Sequence, residues 1–376
     1  MKRLIRILTS TVLLLFAFSF SVRAASLENA VGDLYEALPE EISGLLPEGI
    51  ESDIESGNHV SAADKLGVSF IIDSIVNAFS SAFSNTVAPV LSLISIVVLS
   101  AVLNYVGASV GKDTETATGF ASGLCVILTV FRVVTPLWKL MSDTLLGIGL
   151  IIKSALPAMT CIYAASGNIS ASAVNATWLT VLLTLLEQLC ESVLSPLLYV
   201  CFGFMAVTSL ARFTAAPDMS GIVNTIRKVF TWLLTFLVAV FTAVMSYQTV
   251  VAKSADSMTL RSIKFASGNM IPVIGGALGE AADSYLASVS LIRGTAGTLT
   301  AGSLILYVLP VIIKIIVCRL GLSLASSTAK MLGCSKESDV IKEAGGVLEL
   351  AFALVSACSV VFIIIIGIFA GTASSV

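Results

Sequence analysis

Residues 229–252 read VFTWLLTFLVAVFTAVMSYQTVVA, and none of these 24 positions is Asp, Glu, Lys or Arg. As a helix this stretch would reach about 36 Å, enough to cross a hydrocarbon core of about 30 Å. A soluble helix of that length would need a polar face, which charged side chains usually supply. The sequence therefore predicts a membrane span here, with lipid as its solvent.

Several further segments also lack charged residues, and they extend this prediction to most of the chain. They are residues 74–111, 154–186, 192–211, 294–313 and 350–376. Charged residues make up only 12% of the chain, about half the fraction that is usual in soluble proteins. We predict an all-α, polytopic membrane protein with about six to eight transmembrane helices, interfacial amphipathic helices and a short exoplasmic N-terminal segment.

The predicted spans follow the charge-free segments, and two stretches resist a simple assignment. The spans cover about 89–110, 117–138, 144–165, 229–252, 295–318 and 348–371, with an interfacial helix near 70–80 leading into the first. Residues 174–211 are too long for one span, and Pro196 suggests a hairpin or a broken helix there. Residues 269–292 are rich in Gly and Pro and form either a re-entrant element or a further span. Basic residues occur in nearly every loop, so the positive-inside rule leaves the orientation open.

The N-terminus has the pattern of an export signal. Basic residues in the first six positions precede an apolar run over 7–22, and small residues before position 25 allow cleavage after Ala24. We predict a signal peptide over 1–24; the alternative is an uncleaved first transmembrane helix. In both cases the segment after position 24 is exported.

Residues 25–68 form a distinct acidic segment, with ten acids and a single base, Lys65. An excess of positive charge marks cytoplasmic loops, so this composition fits an exoplasmic location. Pro39, Pro47 and Gly49 divide the segment into short pieces, with a helix predicted at 27–38. We assign 69–376 to one multi-pass transmembrane domain.

Charged residues within apolar segments are the candidate functional residues of the membrane domain. They are Arg132, Lys153, Glu187, Glu191 and Lys314. Each costs about 2.5–3.5 kcal/mol at the bilayer centre unless it meets protein, water or a partner. Glu187 and Glu191 are four residues apart and share one helix face, so Glu187 could pair with Lys153 or Arg132. Such a network would handle an ion or substrate, join helices, or contact another subunit.

No catalytic or cofactor motif stands out in the sequence. The single histidine, His59, lies in the acidic segment, and the seven cysteines include no C-x-x-C pair. No metal-ligand cluster or nucleotide-binding fingerprint is present. We expect no enzymatic activity, no cofactor, no metal and no nucleic-acid partner; energy for any transport would come from another protein or an ion gradient.

Residues 248–285 are the densest polar stretch of the membrane domain. Within them 253–265 is amphipathic, with Lys and Arg suited to the headgroup level. The glycines and proline after it allow irregular backbone, which is tolerated at membrane depth where protein or water covers it. The candidate re-entrant or interface residues are Asp256, Arg261, Lys264, Gly268, Asn269, Pro272 and Gly275.

These motifs resemble the stage III sporulation protein AE family of endospore-forming bacteria. The resemblance rests on Ala255-Asp256, on LRSIKF at 260–265 and on GNxIPVIG at 268–275. It also includes the element from Gly147-x-Gly149 to Leu156-Pro157 that contains Lys153. It covers about 65–376; Thr249 departs from the family, which often has Gly there.

The resemblance implies a role in sporulation. Members of the family are similar to the membrane platform of a secretion-like channel in the mother-cell membrane around the forespore, needed for forespore maintenance and late gene expression. Implied partners are the other stage III A-group proteins, including an ATPase, and stage II sporulation protein Q. On this interpretation the acidic segment faces the intermembrane gap.

Two other classes of function compete with a non-enzymatic channel subunit. A stand-alone secondary transporter of a small solute would use Glu187 and Glu191 as coupling carboxylates and the break at 268–279 as its site. An intramembrane enzyme would need a nucleophile–base pair, which the sequence lacks.

Overall fold

The computed structural model describes residues 30–56, 58–165, 177, 180–182, 184–214, 221–244 and 275–371. These residues are 93% helical and contain no strand. Six of their helices are long and apolar enough to cross a membrane, which confirms the predicted all-α multi-pass fold class. The predicted signal peptide over 1–24 lies outside the described residues.

Four short helices precede six long ones. The short helices are α1 (Ala30–Ala37), α2 (Glu40–Ser43), α3 (Ile50–Glu55) and α4 (His59–Lys65). The long ones are α5 (Val68–Val110), α6 (Lys112–Ala165), α7 (Thr180–Ala211), α8 (Gly221–Val244), α9 (Gly275–Met331) and α10 (Ser335–Gly371). A helix of 43 residues, the length of α5, reaches about 65 Å, so the long helices extend beyond a hydrocarbon core of about 30 Å.

Two predicted breaks between helices are wrong, because in the structure a continuous helix runs through each of them. The interfacial helix near 70–80 is the start of α5, and the predicted spans 117–138 and 144–165 are parts of the single helix α6. Between those two spans, residues 139–143 include two exposed charged residues, Lys139 and Asp143. They lie on the outer face of a continuous helix, and Pro136 upstream of them removes only one backbone hydrogen bond.

The turn between α5 and α6 is one residue long. Gly111 has φ 154° and ψ 165°, a conformation available almost only to glycine. Residues 112–115 form the first turn of α6, where Asp113 and Glu115 interact favourably with the helix dipole. Gly107 lets the two helices approach, since a Cβ on it would lie 2.2 Å from Thr118 Oγ1.

The prediction of a hairpin or a broken helix near Pro196 is wrong, because the structure has the single helix α7 there. It continues from Thr180 to Ala211 and contains a π-helical turn over Cys190–Leu194. Pro196 comes just after this turn and cannot donate a backbone hydrogen bond. The wider π turn accommodates the proline without ending the helix.

Helices α9 and α10 are joined by a tight C-terminal cap. Gly333 has φ 80°, and its N–H donates to the Lys330 carbonyl at 3.2 Å. The Cys334 N–H donates to the Ala329 carbonyl at 2.9 Å. These two bonds form a Schellman motif, which needs a left-handed residue at Gly333.

Two large apolar clusters, and a small one between α5 and α9, hold the described helices together. The largest cluster joins α5, α6, α7, α8, α9 and α10. It includes an aromatic contact in which the ring centroids of Phe131 and Phe202 lie 4.4 Å apart. The second joins α1–α4 to α6, α9 and α10. In α1 the residues Val31 and Leu34 are buried and Asp33 is exposed, so the acidic segment packs an apolar face on the bundle and turns its charge outward.

The bundle therefore has two distinct ends. The N-terminal end is where Leu66 meets Gly302 of α9 and where α1 packs against α6. We call the opposite end the Gly333 end. It contains the turns at Gly111 and Gly333 and the starts of α8 and α10.

Candidate functional site between α6 and α7

The structure brings together two of the five predicted intramembrane charges. Lys153 Nζ of α6 lies 2.6 Å from Glu187 Oε2 of α7. The Lys153 side chain is 48% exposed and that of Glu187 is 25% exposed, so the pair lies at the edge of the helix interface rather than in its core. Each charge satisfies the other at a place where lipid or a partner chain would otherwise meet it unpaired.

Two glycines of the Gly147-x-Gly149 element allow α6 to approach its neighbours here. A Cβ on Gly147 would lie 2.2 Å from Tyr307 Oη of α9. A Cβ on Gly149 would lie 3.3 Å from Glu187 Oε1. Lys153 comes one helical turn after Gly149 and so faces the same helix. The spacing of this element thus positions one face of α6 against α9 and another against α7.

A small cavity opens beside the charge pair. Its volume is about 140 Å³, and both Glu187 and Glu191 line it, together with Gly149. At its inner side Cys190 Sγ lies 3.1 Å from Cys358 Sγ, and both thiols are buried. The cavity is large enough for a few water molecules.

The remaining predicted site residues do not join this site. Arg132 is exposed on α6 and Lys314 is half-buried on α9, and neither forms an ion pair with any residue that the structure describes. Gly275 is the first residue of α9. The other predicted interface residues, Asp256, Arg261, Lys264, Gly268, Asn269 and Pro272, lie outside the described residues.

A buried carboxylate at the Gly333 end was missed by the sequence reasoning. Glu337 is only 2% exposed; it accepts hydrogen bonds from Asn104 Nδ2 at 2.9 Å and Ser122 Oγ at 3.0 Å. It therefore links the start of α10 to α5 and α6. One feature of the sequence could have identified it. Glu337 lies three residues after Cys334, just inside the start of α10, and a Glu at this position commonly stabilises a helix N-terminus.

The geometry of the α6–α7 site suits charge compensation and helix alignment. No group of three or more His, Cys, Asp or Glu side chains in the described part of the chain could hold a metal ion. The site offers one cation, two carboxylates and a small, mostly apolar cavity, arranged by glycines.

Comparison with known proteins identifies the family. The chain matches the family described as Stage III sporulation protein AE over residues 54–373, which is most of its length. The chain belongs to this family. The resemblance of its motifs is thereby confirmed, and the match includes all six long helices.

A relative from Bacillus subtilis supports the same assignment. Over 182 residues the chain is 25% identical to the Stage III sporulation protein AE of Bacillus subtilis (strain 168). That alignment covers 48% of this chain and 45% of the relative, so the chain spans less than half the length of the relative it matches. No solved structure matches the chain. The family and the six long helices together describe a multi-pass membrane protein of sporulation.

Proposed function

We propose that this chain is a non-enzymatic integral membrane subunit of a sporulation-specific, secretion-like channel that links mother cell and forespore. The observation that carries the proposal is the family match over 54–373, because it includes the whole described membrane domain. The partners would be the other stage III A-group proteins, including an ATPase, and stage II sporulation protein Q. The subunit would support forespore maintenance and late gene expression.

The packing of the helices supports a subunit role. In the most hydrophobic stretches of α9 and α10 half of the residues are buried within the chain, but only 28% in α5 and 22% in α8. Exposed apolar residues on these two helices include Phe79, Val102, Tyr105, Trp232 and Phe236. Helices with so much uncovered apolar surface need lipid or the helices of other subunits around them.

We further propose that the protein lies in the mother-cell membrane around the forespore with α1–α4 on the exoplasmic side. The signal-like N-terminus supports this orientation, and so do the basic residues at the Gly333 end, among them Arg212, Lys228 and Lys330. Cysteines introduced at Glu48 and Lys112, both exposed, test it. When the chain is expressed in the cell membrane of non-sporulating cells, a membrane-impermeant maleimide on intact cells should label Glu48→Cys and not Lys112→Cys; the reverse pattern would invert the topology.

Affinity purification from sporulating cells tests the subunit role. A tagged copy of the chain, expressed in place of the chromosomal one, should bring down the other stage III A-group proteins. A polytopic membrane protein with the same tag serves as the control. If the chain is recovered alone and moves a solute across liposome membranes, the secondary-transporter alternative replaces the channel proposal.

A further inference from the structure

A second, larger cavity at the Gly333 end is unusually rich in charge. Its volume is about 740 Å³, and it lies between the ends of α7, α8, α9 and α10. We call it the charged cavity. Its basic lining residues are Arg212, Arg227, Arg319, Lys330 and Lys342, and its acidic ones are Asp339, Glu343 and Glu349. The residues of the lining that the structure describes therefore carry a net charge of +2.

The carboxylates of the charged cavity already have cationic partners. Glu343 accepts a hydrogen bond from Arg212, whose Nη1 also lies 3.5 Å from Asp339 Oδ2. Glu349 pairs with Arg319. The three other cations, Arg227, Lys330 and Lys342, form no ion pair with the residues that the structure describes. The excess positive charge is thus concentrated on these three side chains.

Arg227 is held in place with part of its guanidinium unsatisfied. Its Nη2 donates to the backbone carbonyl of Glu343 at 3.1 Å, and its Nη1 lies 3.2 Å from where a Cβ of Gly346 would be. Its Nε is buried and has no hydrogen-bond partner among the described residues, and the same is true of Glu343 Oε2. Buried polar atoms usually have hydrogen-bond partners, so the Arg227 guanidinium keeps donor capacity that the described residues do not use.

Arg227 also borders an apolar groove on the outer side of α8. This groove is shallow and open, and its described lining residues, which include Arg227, Lys228 and Trp232, all belong to α8. The rings of Trp232 and Phe236 stack with their centroids 5.6 Å apart, and both side chains are more than half exposed. Tryptophan is enriched where a helix leaves the hydrocarbon core. The groove would therefore place an acyl chain beside the Arg227 guanidinium.

We propose that the charged cavity binds a phosphate group, held by Arg227 with Lys330 and Lys342. A guanidinium donates two parallel hydrogen bonds to phosphate oxygens, and the two ammonium groups add point charges. A phosphate also balances the excess charge of the lining. The group is supplied either by the headgroup of an anionic phospholipid, whose chain lies in the α8 groove, or by a soluble phosphate compound. This site does not depend on the proposed channel partners.

Binding to the full-length protein tests the proposal in two arms. In the first, the chain in phosphatidylcholine nanodiscs is titrated with inorganic phosphate. In the second, it is reconstituted in nanodiscs that also contain phosphatidylglycerol. Thermal unfolding and native mass spectrometry report the bound group. The test variants are Arg227→Gln and the double variant Lys330→Gln/Lys342→Gln, whose lysines are exposed and leave the packing intact. Lys112→Gln, at the same end but outside the cavity, is the matched control.

Each possible result either supports or overturns the proposed phosphate site. We expect the wild-type chain to be stabilised in at least one arm, and the test variants to bind about tenfold more weakly, as the loss of one charged hydrogen bond implies. The control should bind within about twofold of wild type. A response only to phosphatidylglycerol identifies the lipid headgroup, and a response to inorganic phosphate identifies a soluble compound. No response in either arm, or equal binding by the double variant and wild type, overturns the proposal.

Discussion

The two ends of the bundle are assembled by different kinds of contact. At the N-terminal end the helices α1–α4 attach through buried apolar side chains such as Leu34, Ile42 and Ile50, and the described ion pair there, Lys65–Asp53, lies within the segment itself. At the Gly333 end ion pairs run between separate long helices. Apolar contacts tolerate small shifts because they are non-directional, whereas charged hydrogen bonds fix relative positions. We infer that the Gly333 end sets the alignment of the long helices.

The largest effect should come from neutralising Glu343, the residue that joins α10 to both α7 and α8 at the Gly333 end. In Glu343→Gln the Arg212 guanidinium loses its main partner in a half-buried site. We expect a loss of about 1.5–3 kcal/mol of unfolding free energy, the range for hydrogen bonds to charged groups. Thermal unfolding of the purified chain in detergent measures it.

Glu349→Gln is the matched control for that prediction. It makes the same change on the same helix, but Glu349 and Arg319 are both about half exposed, so we expect a loss below about 1 kcal/mol. If the two variants lose equal stability, the Glu343 contacts do not align the helices.

The sequence predicts the membrane character of the chain because lipid imposes a strong rule on composition. A charge-free run such as 229–252 has no other stable environment, and a charge inside such a run, such as Lys153, needs a partner. The same reasoning singled out Glu187. It could not decide between Lys153 and Arg132 as its partner, since that choice depends on how α6 and α7 are rotated against each other.

The charged cavity and Glu337 escaped the sequence reasoning for a different reason. Their residues lie near helix ends, where Lys, Arg and Glu are common and cost little. Arg212, Arg227 and Glu343 are far apart in the chain, and only the packing of three helices brings them together. The π turn before Pro196 was also beyond prediction, because a proline in an apolar run is compatible with a break, a kink or a bulge.

The next largest effect should come from the close contact between α6 and α9 at Gly147. This contact lies between the two ends of the bundle. In Gly147→Ala the new Cβ would lie 2.2 Å from Tyr307 Oη, so Tyr307 or α9 must shift. We expect a loss of about 1–3 kcal/mol from overpacking. Gly203→Ala is the control, because nothing lies within 4 Å of its Cβ position and alanine favours helix. A Gly147→Ala chain as stable as the Gly203→Ala chain would show that α6 and α9 are not closely packed at this position.

A smaller effect is expected at the Lys153–Glu187 pair, which is exposed at the helix edge. A double-mutant cycle with Lys153→Met and Glu187→Gln should give a coupling of about 1 kcal/mol in detergent. Glu191→Gln is the control, since Glu191 lines the same cavity without an ion pair to the described residues. Spore yield measured for the same variants separates roles: if the pair only joins helices, yield should vary with stability, and a loss of yield in Glu191→Gln at normal stability would instead indicate a functional carboxylate.

The smallest effect concerns the pH dependence of the N-terminal end. Asp53 accepts hydrogen bonds from Lys65 Nζ at 2.7 Å and Ser61 Oγ at 2.9 Å, and both lower the pKa of its carboxyl below the ordinary value of 3.8. A lowered pKa in the folded state stabilises the fold above the unfolded value, and this contribution is lost as the pH falls through the folded pKa. Between pH 7 and pH 3, hydrogen exchange in α3 and α4 should therefore become faster as the pH falls below about 3.8, after correction for the intrinsic exchange rate.

Two variants connect this pH dependence to the contrast between the ends. Asp53→Asn should already exchange faster at pH 7 and lose the acid-dependent step, whereas Asp64→Asn, an exposed neighbour in α4, should behave like wild type. Protection in α1 should change in neither variant, because α1 is attached to α6 by apolar side chains that do not titrate. If acid also released α1, the N-terminal end would depend on charge as the Gly333 end does, and the distinction between non-directional and directional assembly would fail.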